Sequence, residues 1–271
     1  MSGAGEQSDP ALEAKALLAS ASALVRELIE EGVSEFPRLP AEETSPPIRH
    51  PTLPRERPTV PSAALGSDPD LPVAEATPVI PWADAVRPTL DDVQTHLGDC
   101  RRCDLCQGRQ SIVFGDGNPD ADLMFIGEGP GEQEDRRGLP FVGRAGELLT
   151  QMIEKGIGIP RSEVYICNIV KCRPPRNRNP LPPEVNACRP FLDGQIRAVA
   201  PKVIVTLGKP AAGLLLDREV AITRLRGTWQ EYQGIPLMPT LHPAYVLRQY
   251  TQENRRAVWQ DLQAAIERTR A

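Results

Sequence analysis

Six cysteines, three histidines and a glycine-rich loop with two carboxylates are the residues of this chain whose types and spacing could do chemistry. Cys100 and Cys103 form a C-x2-C pair, and Cys172 and Cys188 a C-x15-C pair. Thiolates from four such positions suit a [4Fe–4S] cluster or a tetrahedral zinc ion. The second pair is too wide for a zinc knuckle, but spacing alone leaves both readings open. Cys106 and Cys167 are then surplus, and Cys167, inside an apolar run, reads as a small core residue.

The glycine loop runs from Asp122 to Leu149, DLMFIGEGPGEQEDRRGLPFVGRAGELL. It fails the dinucleotide fingerprint, because Glu132 stands where a third glycine is needed, and the chain has no phosphate-binding G-x-x-x-x-G-K-[ST]. Gly127, Gly129 and Gly131 still let backbone N–H groups approach a bound group closely. Glu128 and Glu134 would repel a phosphate, yet they could orient a water or stabilise a cationic transition state. Phe141 offers an exposed ring. His242 is the one histidine after residue 100 and precedes Pro243 in a strand-to-loop turn. It reads either as a structural residue or as a hydrogen-bond donor to a developing anion. Lys171, Arg173, Arg176 and Arg178 crowd a proline-containing loop after Asn168. They read as a solvated loop or as a grip on a phosphate backbone.

Four short apolar runs must position these groups: 122–126, 164–170, 202–207 and 235–241. Helical patterns at 145–155, 183–199, 210–216 and 252–268 separate and follow them. This alternation predicts an α/β fold, a three-layer α/β/α sandwich with a central four-stranded parallel sheet. Ligands of such sheets bind beyond the carboxyl ends of the strands. Those ends carry GEGPG, Cys167-Asn168, LGKPAAG and LHPAY. A Thr89-x-x-Asp92 capping signal starts one more helix ahead of CRRCDLC, with His96 expected on its outer face.

The first third of the chain is different. Of 29 prolines, 13 lie between Pro37 and Pro88, far above the ordinary share of roughly 5%. Residues 36–86 therefore read as a flexible, partly polyproline-II linker, with His50 outside any chemistry. Residues 1–35 contain a short amphipathic helix pattern, either loosely packed or a docking helix for a partner protein. Residues 87–271 are left as the folded domain. Residues 1–99 hold 7 basic and 17 acidic side chains, a net of −10, whereas 100–271 hold 24 and 19, a net of +5; together they give the chain's −5. A polyanion partner is thus plausible for the back part only. The sequence shows no secretory leader and no apolar run of roughly 18 residues, so a cytoplasmic protein is expected. In that reducing compartment metal ligation suits the cysteines better than structural disulfides do.

The motifs taken together resemble a known family, the iron–sulfur uracil-DNA glycosylases called family 4. Four pieces match in order: C-x-x-C-x-L from Cys100 to Leu105, GEGPGEQED with PFVGRAG, CNIVKCRPP, and LHPAYVLR. The resemblance spans about residues 90–268. It implies hydrolysis of the N-glycosidic bond of uracil in single- or double-stranded DNA by a monomer, leaving an abasic site. Cys100, Cys103, Cys172 and Cys188 would hold a structural [4Fe–4S] cluster. Glu128 would orient the attacking water, and His242 would stabilise charge on uracil O2. Phe141 would stack on the flipped base, Asn168 would read its edge, and Glu134 would crowd C5, where thymine carries a methyl. Beside the loop cations, Lys209 and Arg248 would lie near phosphates, and the segment from Tyr245 to Arg248 would fill or brace the gap left by the base. Relatives that trap the sugar carry GEQPG and a basic insertion before the histidine motif. This chain has Gly129 and no such insertion, so ordinary turnover is expected. Two other readings stay in view: a sister-family glycosylase of broader base range, and a non-catalytic, four-cysteine nucleic-acid-binding module.

Overall fold

Alternation along short, wholly apolar strands organises the fold. In a computed structural model, which describes residues 87–270, the chain runs through α1 (Leu90–Leu97), β1 (Asp116–Gly117), β2 (Leu123–Gly127), α2 (Glu132–Arg137) and α3 (Arg144–Gln151). It continues through β3 (Tyr165–Asn168), α4 (Pro182–Val199), β4 (Val203–Leu207), α5 (Lys209–Leu215) and α6 (Ile222–Leu225). The last elements are β5 (Gln230–Tyr232), β6 (Ile235–Thr240), α7 (Pro243–Arg248) and α8 (Gln252–Thr269). The N-terminal helix pattern, the proline-rich linker and their boundary at residue 86 lie outside the described residues.

The sheet has six strands in the order β1-β3-β2-β4-β6-β5. Its inner four are parallel, and β1 and β5 pair antiparallel with β3 and β6 at the two edges. The expected four-stranded all-parallel sheet is therefore corrected to a mixed, mostly parallel one. The added edges are only two and three residues long and include no apolar run, so nothing in their composition marked them as strands.

All five residues of β2 and of β4 are buried, as strands covered on both faces must be. Successive side chains point to opposite faces. Met124, Ile126, Tyr165, Cys167 and Ile204 face one core with Leu192 and Ile196 of α4 and Ala211 of α5. Leu123, Phe125, Ile166, Val203 and Val205 face the other with Leu149 of α3, Val246 of α7 and Leu262 of α8. A third cluster, Val93, Leu97, Cys100, Phe114 and Phe191, seats α1 and the first cysteine against α4. The Thr89 signal is realised as a reciprocal capping box with Asp92. No helix among the described residues is long and apolar enough to cross a membrane.

Candidate active site

At the carboxyl ends of the parallel strands lies a cleft of ≈ 720 Å³. Each inner strand delivers residues to it: Glu128 to Glu134 follow β2, Asn168 ends β3, Gly208 and Lys209 follow β4, and His242 follows β6. Parallel pairing in register brings them together, with Gly127 opposite Asn168 across the β2–β3 ladder.

Gly127 is needed for that approach, because a Cβ there would collide with both the Asn168 amide oxygen and the Phe141 ring. Gly129 and Gly131 are similarly tight, with virtual Cβ atoms 2.9 Å from Val170 Cγ2 and 2.7 Å from Glu134 Oε2. Asn168 is 1% exposed, and neither its Oδ1 nor its Nδ2 has a hydrogen-bond partner. A buried amide left open in this way costs stability, so it marks a place where a ligand supplies the missing partners.

Phe141, read from the sequence as an exposed ring, is instead buried at 7% exposure and clamped in place. Its φ of 52° lies in the left-handed region that non-glycine residues seldom adopt. Three groups fix it there. Arg161 donates from Nη2 to the carbonyl of Pro140 at 2.7 Å. The main-chain N–H groups of Val142 and Gly143 donate to Glu134 Oε1, each at 2.9 Å. Gly146 leaves room where a Cβ would strike the Phe141 carbonyl. The clamped ring sits 5.8 Å, centroid to centroid, from the imidazole of His242, tilted by 35°.

His242 caps α7, its Nδ1 accepting from the N–H of Ala244 at 3.1 Å. With Nδ1 an acceptor, the proton of the neutral ring resides on Nε2. Enclosure by protein, reinforced by the charge of Arg248 and opposed by Glu134, pulls its pKa down to about 4. The ring is therefore a neutral N–H donor at physiological pH. Half-buried Glu128 has its carboxyl pushed above the ordinary glutamate range by desolvation.

Arg178, Lys209 and Arg248 line the cleft, as does Arg144, which the sequence reading missed. Its position at the first residue of α3, directly after the Phe141 turn, was the available signal. Arg178 is also paired bidentately with Glu184 at 2.8 and 2.6 Å. Arg173 is turned to Asn177 and Glu132, and Arg176 is exposed but does not line the cleft. Lys171 corrects the sequence reading: it is 0% exposed and its ammonium is spent inside the protein, so it cannot reach a DNA backbone.

The cysteine centre lies behind this loop. None of the six cysteines is in a disulfide. Cys103 is within electrostatic reach of Cys100, as are Cys172 and Cys188 of Cys103. Each of the four faces one N–H donor. Arg102 Nη1 is 3.4 Å from Cys100 Sγ, and Arg109 Nη1 is 3.4 Å from Cys172 Sγ. The backbone N–H groups of Leu105 and Lys171 serve Cys103 and Cys188. Desolvation raises the thiol pKa values of Cys103 and Cys172, and that of Cys188 to about 12. These three thiols ionise only if a cationic group takes their charge. Among the described residues no three His, Cys, Asp or Glu side chains close around a single ion. An N–H aimed at each of the four sulfurs is the kind of contact that steadies bound thiolates, whether they hold a cluster or a zinc ion. Cys167 is buried in the β3 core, as its run predicted.

Comparison with known proteins agrees with this geometry. The family model for the uracil-DNA glycosylase superfamily matches residues 114–263, more than half of the chain. A type-4 uracil-DNA glycosylase of Thermotoga maritima is 46% identical over 178 residues, covering 65% of this chain and 92% of that protein. This chain belongs to the type-4 uracil-DNA glycosylase family. A type-4 enzyme of Sulfurisphaera tokodaii is 44% identical over 59% of this chain and 76% of its own length. A type-5 uracil-DNA glycosylase of Pyrobaculum aerophilum is more distant, 28% identical over 57% of this chain and 82% of that protein. The much higher identity to the type-4 enzymes sets the sister-family reading aside.

Proposed function

We propose that this type-4 family member hydrolyses the N-glycosidic bond of uracil flipped out of DNA. The observation that carries this reading is the buried Asn168 amide, open on both atoms beside a ring fixed in a strained conformation. A base must leave the helical stack for its glycosidic bond to be attacked, at a cost of a few kcal/mol. Stacking on Phe141 returns ~1–3 kcal/mol of that. Oδ1 of Asn168 accepts from uracil N3–H and Nδ2 donates to O4. Cytosine offers the reverse pattern, so an amide held in one orientation rejects it.

The C1′–N1 bond then breaks with its electron pair moving onto the base, and charge collects on O2. His242, a neutral Nε2–H donor, stabilises that oxygen without needing to titrate. The deoxyribose becomes oxocarbenium-like. Glu128 as carboxylate faces this positive centre, orients a water toward C1′, and accepts a proton as the C1′–O bond forms. Uracil leaves as an anion that takes up a proton from solvent, and an abasic sugar remains. Glu134, besides clamping the Phe141 turn, stands where a thymine methyl would be crowded.

Lys209, Arg248 and Arg144 at the rim are placed to hold phosphates on either side of the flipped nucleotide, so affinity should fall with salt. Cys100, Cys103, Cys172 and Cys188 would hold a [4Fe–4S] cluster that ties the loop after β3 to α4 and the segment before β1. Its contribution is structural, and no step above passes through it.

The test is incubation of purified protein with a uracil-containing oligonucleotide, followed by alkali to reveal abasic sites, with Glu128→Ala and His242→Ala in parallel. Failure of the wild type to release uracil would overturn the reading. Full activity in Glu128→Ala would instead support a binding module contaminated by another enzyme. Iron content and visible absorbance, compared with those of Cys172→Ser, decide cluster against zinc.

A further inference from the structure

The loop cation that does not reach DNA has another place in the molecule. Lys171 is among the bulkiest wholly buried side chains of the described residues, in the company of Phe125 and Phe191. Its Nζ donates to the Asn168 carbonyl at 2.7 Å and to Gln195 Oε1 at 2.5 Å. Gln195, itself 0% exposed on α4, passes the connection on, its Nε2 donating to the Phe114 carbonyl at 2.9 Å and to the Tyr165 hydroxyl at 3.1 Å. None of the ion pairs among the described residues involves Lys171. Burying an ammonium with no carboxylate partner, its charge reaching only the Cys167 and Cys188 sulfurs, is expensive, and such a group is kept where its geometry serves something.

What it serves is visible at both ends. One end covers the carbonyl of the residue whose amide stands open in the cleft. The other grips α4 seven residues, two turns, beyond Cys188, and the Lys171 main-chain N–H faces the Cys188 sulfur. Asn168 makes no side-chain hydrogen bond that could orient its own amide before a base arrives. Its orientation therefore rests on packing beside Gly127 and on the backbone that carries it.

We infer that Lys171 is a positioning residue: by holding the Asn168 carbonyl against Gln195, it fixes the direction of the base-reading amide and references it to the helix that carries Cys188. The inference rests on the proposed uracil reading of Asn168. It places a specificity determinant at a residue that touches neither base nor DNA.

The test uses the full chain with its iron intact and compares wild type with Lys171→Met, which keeps an unbranched chain of similar length. Four quantities are read: kcat/KM for uracil release, inhibition by free uracil, affinity for abasic-site DNA, and iron per chain. Loss of the charged hydrogen bonds should weaken inhibition by uracil about tenfold or more and lower kcat/KM by a similar factor. Abasic-DNA affinity should stay at the wild-type level, because the rim cations are untouched, and so should iron content, because the four cysteines and the main-chain N–H that faces Cys188 are kept. A purely structural role would move all four together, and that outcome overturns the inference. So does a variant whose uracil inhibition equals that of wild type. Should Lys171→Met not fold, Gln195→Leu, which leaves the ammonium on the Asn168 carbonyl but cuts its anchor, must weaken uracil inhibition in the same direction, and no change there refutes the proposal. Wild-type protein that releases no uracil would instead remove the reading on which the inference rests.

Discussion

Replacing Asn168 by alanine tests the reading of the site at the atoms that define it. In the protein alone the substitution removes two polar atoms that nothing satisfies, so the fold should gain stability or stay neutral. In the complex it leaves uracil N3–H and O4 without partners in a pocket where the replaced side chain was 1% exposed. Each unmatched group costs ~1–3 kcal/mol, so the pair costs about 2–6 kcal/mol of transition-state binding. At ~1.4 kcal/mol per factor of ten, kcat/KM should fall between about thirtyfold and about 10⁴-fold. Phe141 and the rim cations remain, so affinity for abasic DNA should not change. The assay is single-turnover uracil release from a single-stranded oligonucleotide, with thermal unfolding measured beside it. The companion variant is Asn168→Asp. A carboxyl buried so completely should be protonated. It then offers one O–H donor and one carbonyl acceptor, the complement of cytosine N3 and N4–H₂. Cytosine release should appear where the wild type shows none. An alanine variant within about fivefold of wild type, less than one lost hydrogen bond on the scale above, would refute the assignment. So would an aspartate variant that folds and binds abasic DNA but releases no cytosine; retained uracil release is compatible with the assignment, because the acid proton can sit on either oxygen.

Three further outcomes follow from the geometry. The acid limb of kcat/KM should lie above the ordinary glutamate pKa, because desolvation raises Glu128, and activity should fall as pH drops through that limb; Glu128→Gln should be slow and lack the limb, and a limb that persists in it would assign the titration elsewhere. Arg161→Met frees the Pro140 carbonyl and unclamps the Phe141 turn, so stacking of ~1–3 kcal/mol is partly lost and KM rises up to about a hundredfold while the pH profile is unchanged; an unaltered KM would show that Glu134 and Gly146 suffice. His242 has a folded pKa of about 4 against 6.5 when unfolded, so the unfolded chain binds the extra proton first and the stability linked to this ring, about 3 kcal/mol, is present above pH 6.5 and lost as pH falls toward 4. Denaturant unfolding of His242→Asn should be correspondingly flatter than wild type across that window, and parallel curves would contradict a neutral, enclosed imidazole.

Much of the framework was written locally. The inner strands follow from runs such as Leu-Met-Phe-Ile and Val-Ile-Val, which can be buried on both faces only inside a covered parallel sheet. The helical pattern at 183–199 was legible and forms as the 18-residue α4, with Pro182 and Pro183 at its first turn and Glu184 accepting from the Leu181 N–H. The four cysteines, the glycine loop and His242 could be picked out because their types and spacing restrict what chemistry they can do, and Asn168 through the resemblance its strand-end motif carries. The short edge strands could not, since pairing at a sheet edge is decided by the neighbour and not by two or three residues of weak propensity.

Tertiary structure alone decided the remainder. Adjacency in sequence grouped Lys171 with three arginines as a DNA grip, whereas the fold turned it inward onto Asn168 and Gln195. The left-handed turn at Phe141 depends on Arg161, Glu134 and Gly146 arriving from separate elements, so no local propensity announces it. The open state of the Asn168 amide is likewise a property of everything that does not touch it. Sequence determined which groups were available for chemistry, because that is fixed by side-chain type. Which of them face the cleft, which are already satisfied, and which stand open for a ligand is a matter of three-dimensional accounting, and only the folded chain closes it.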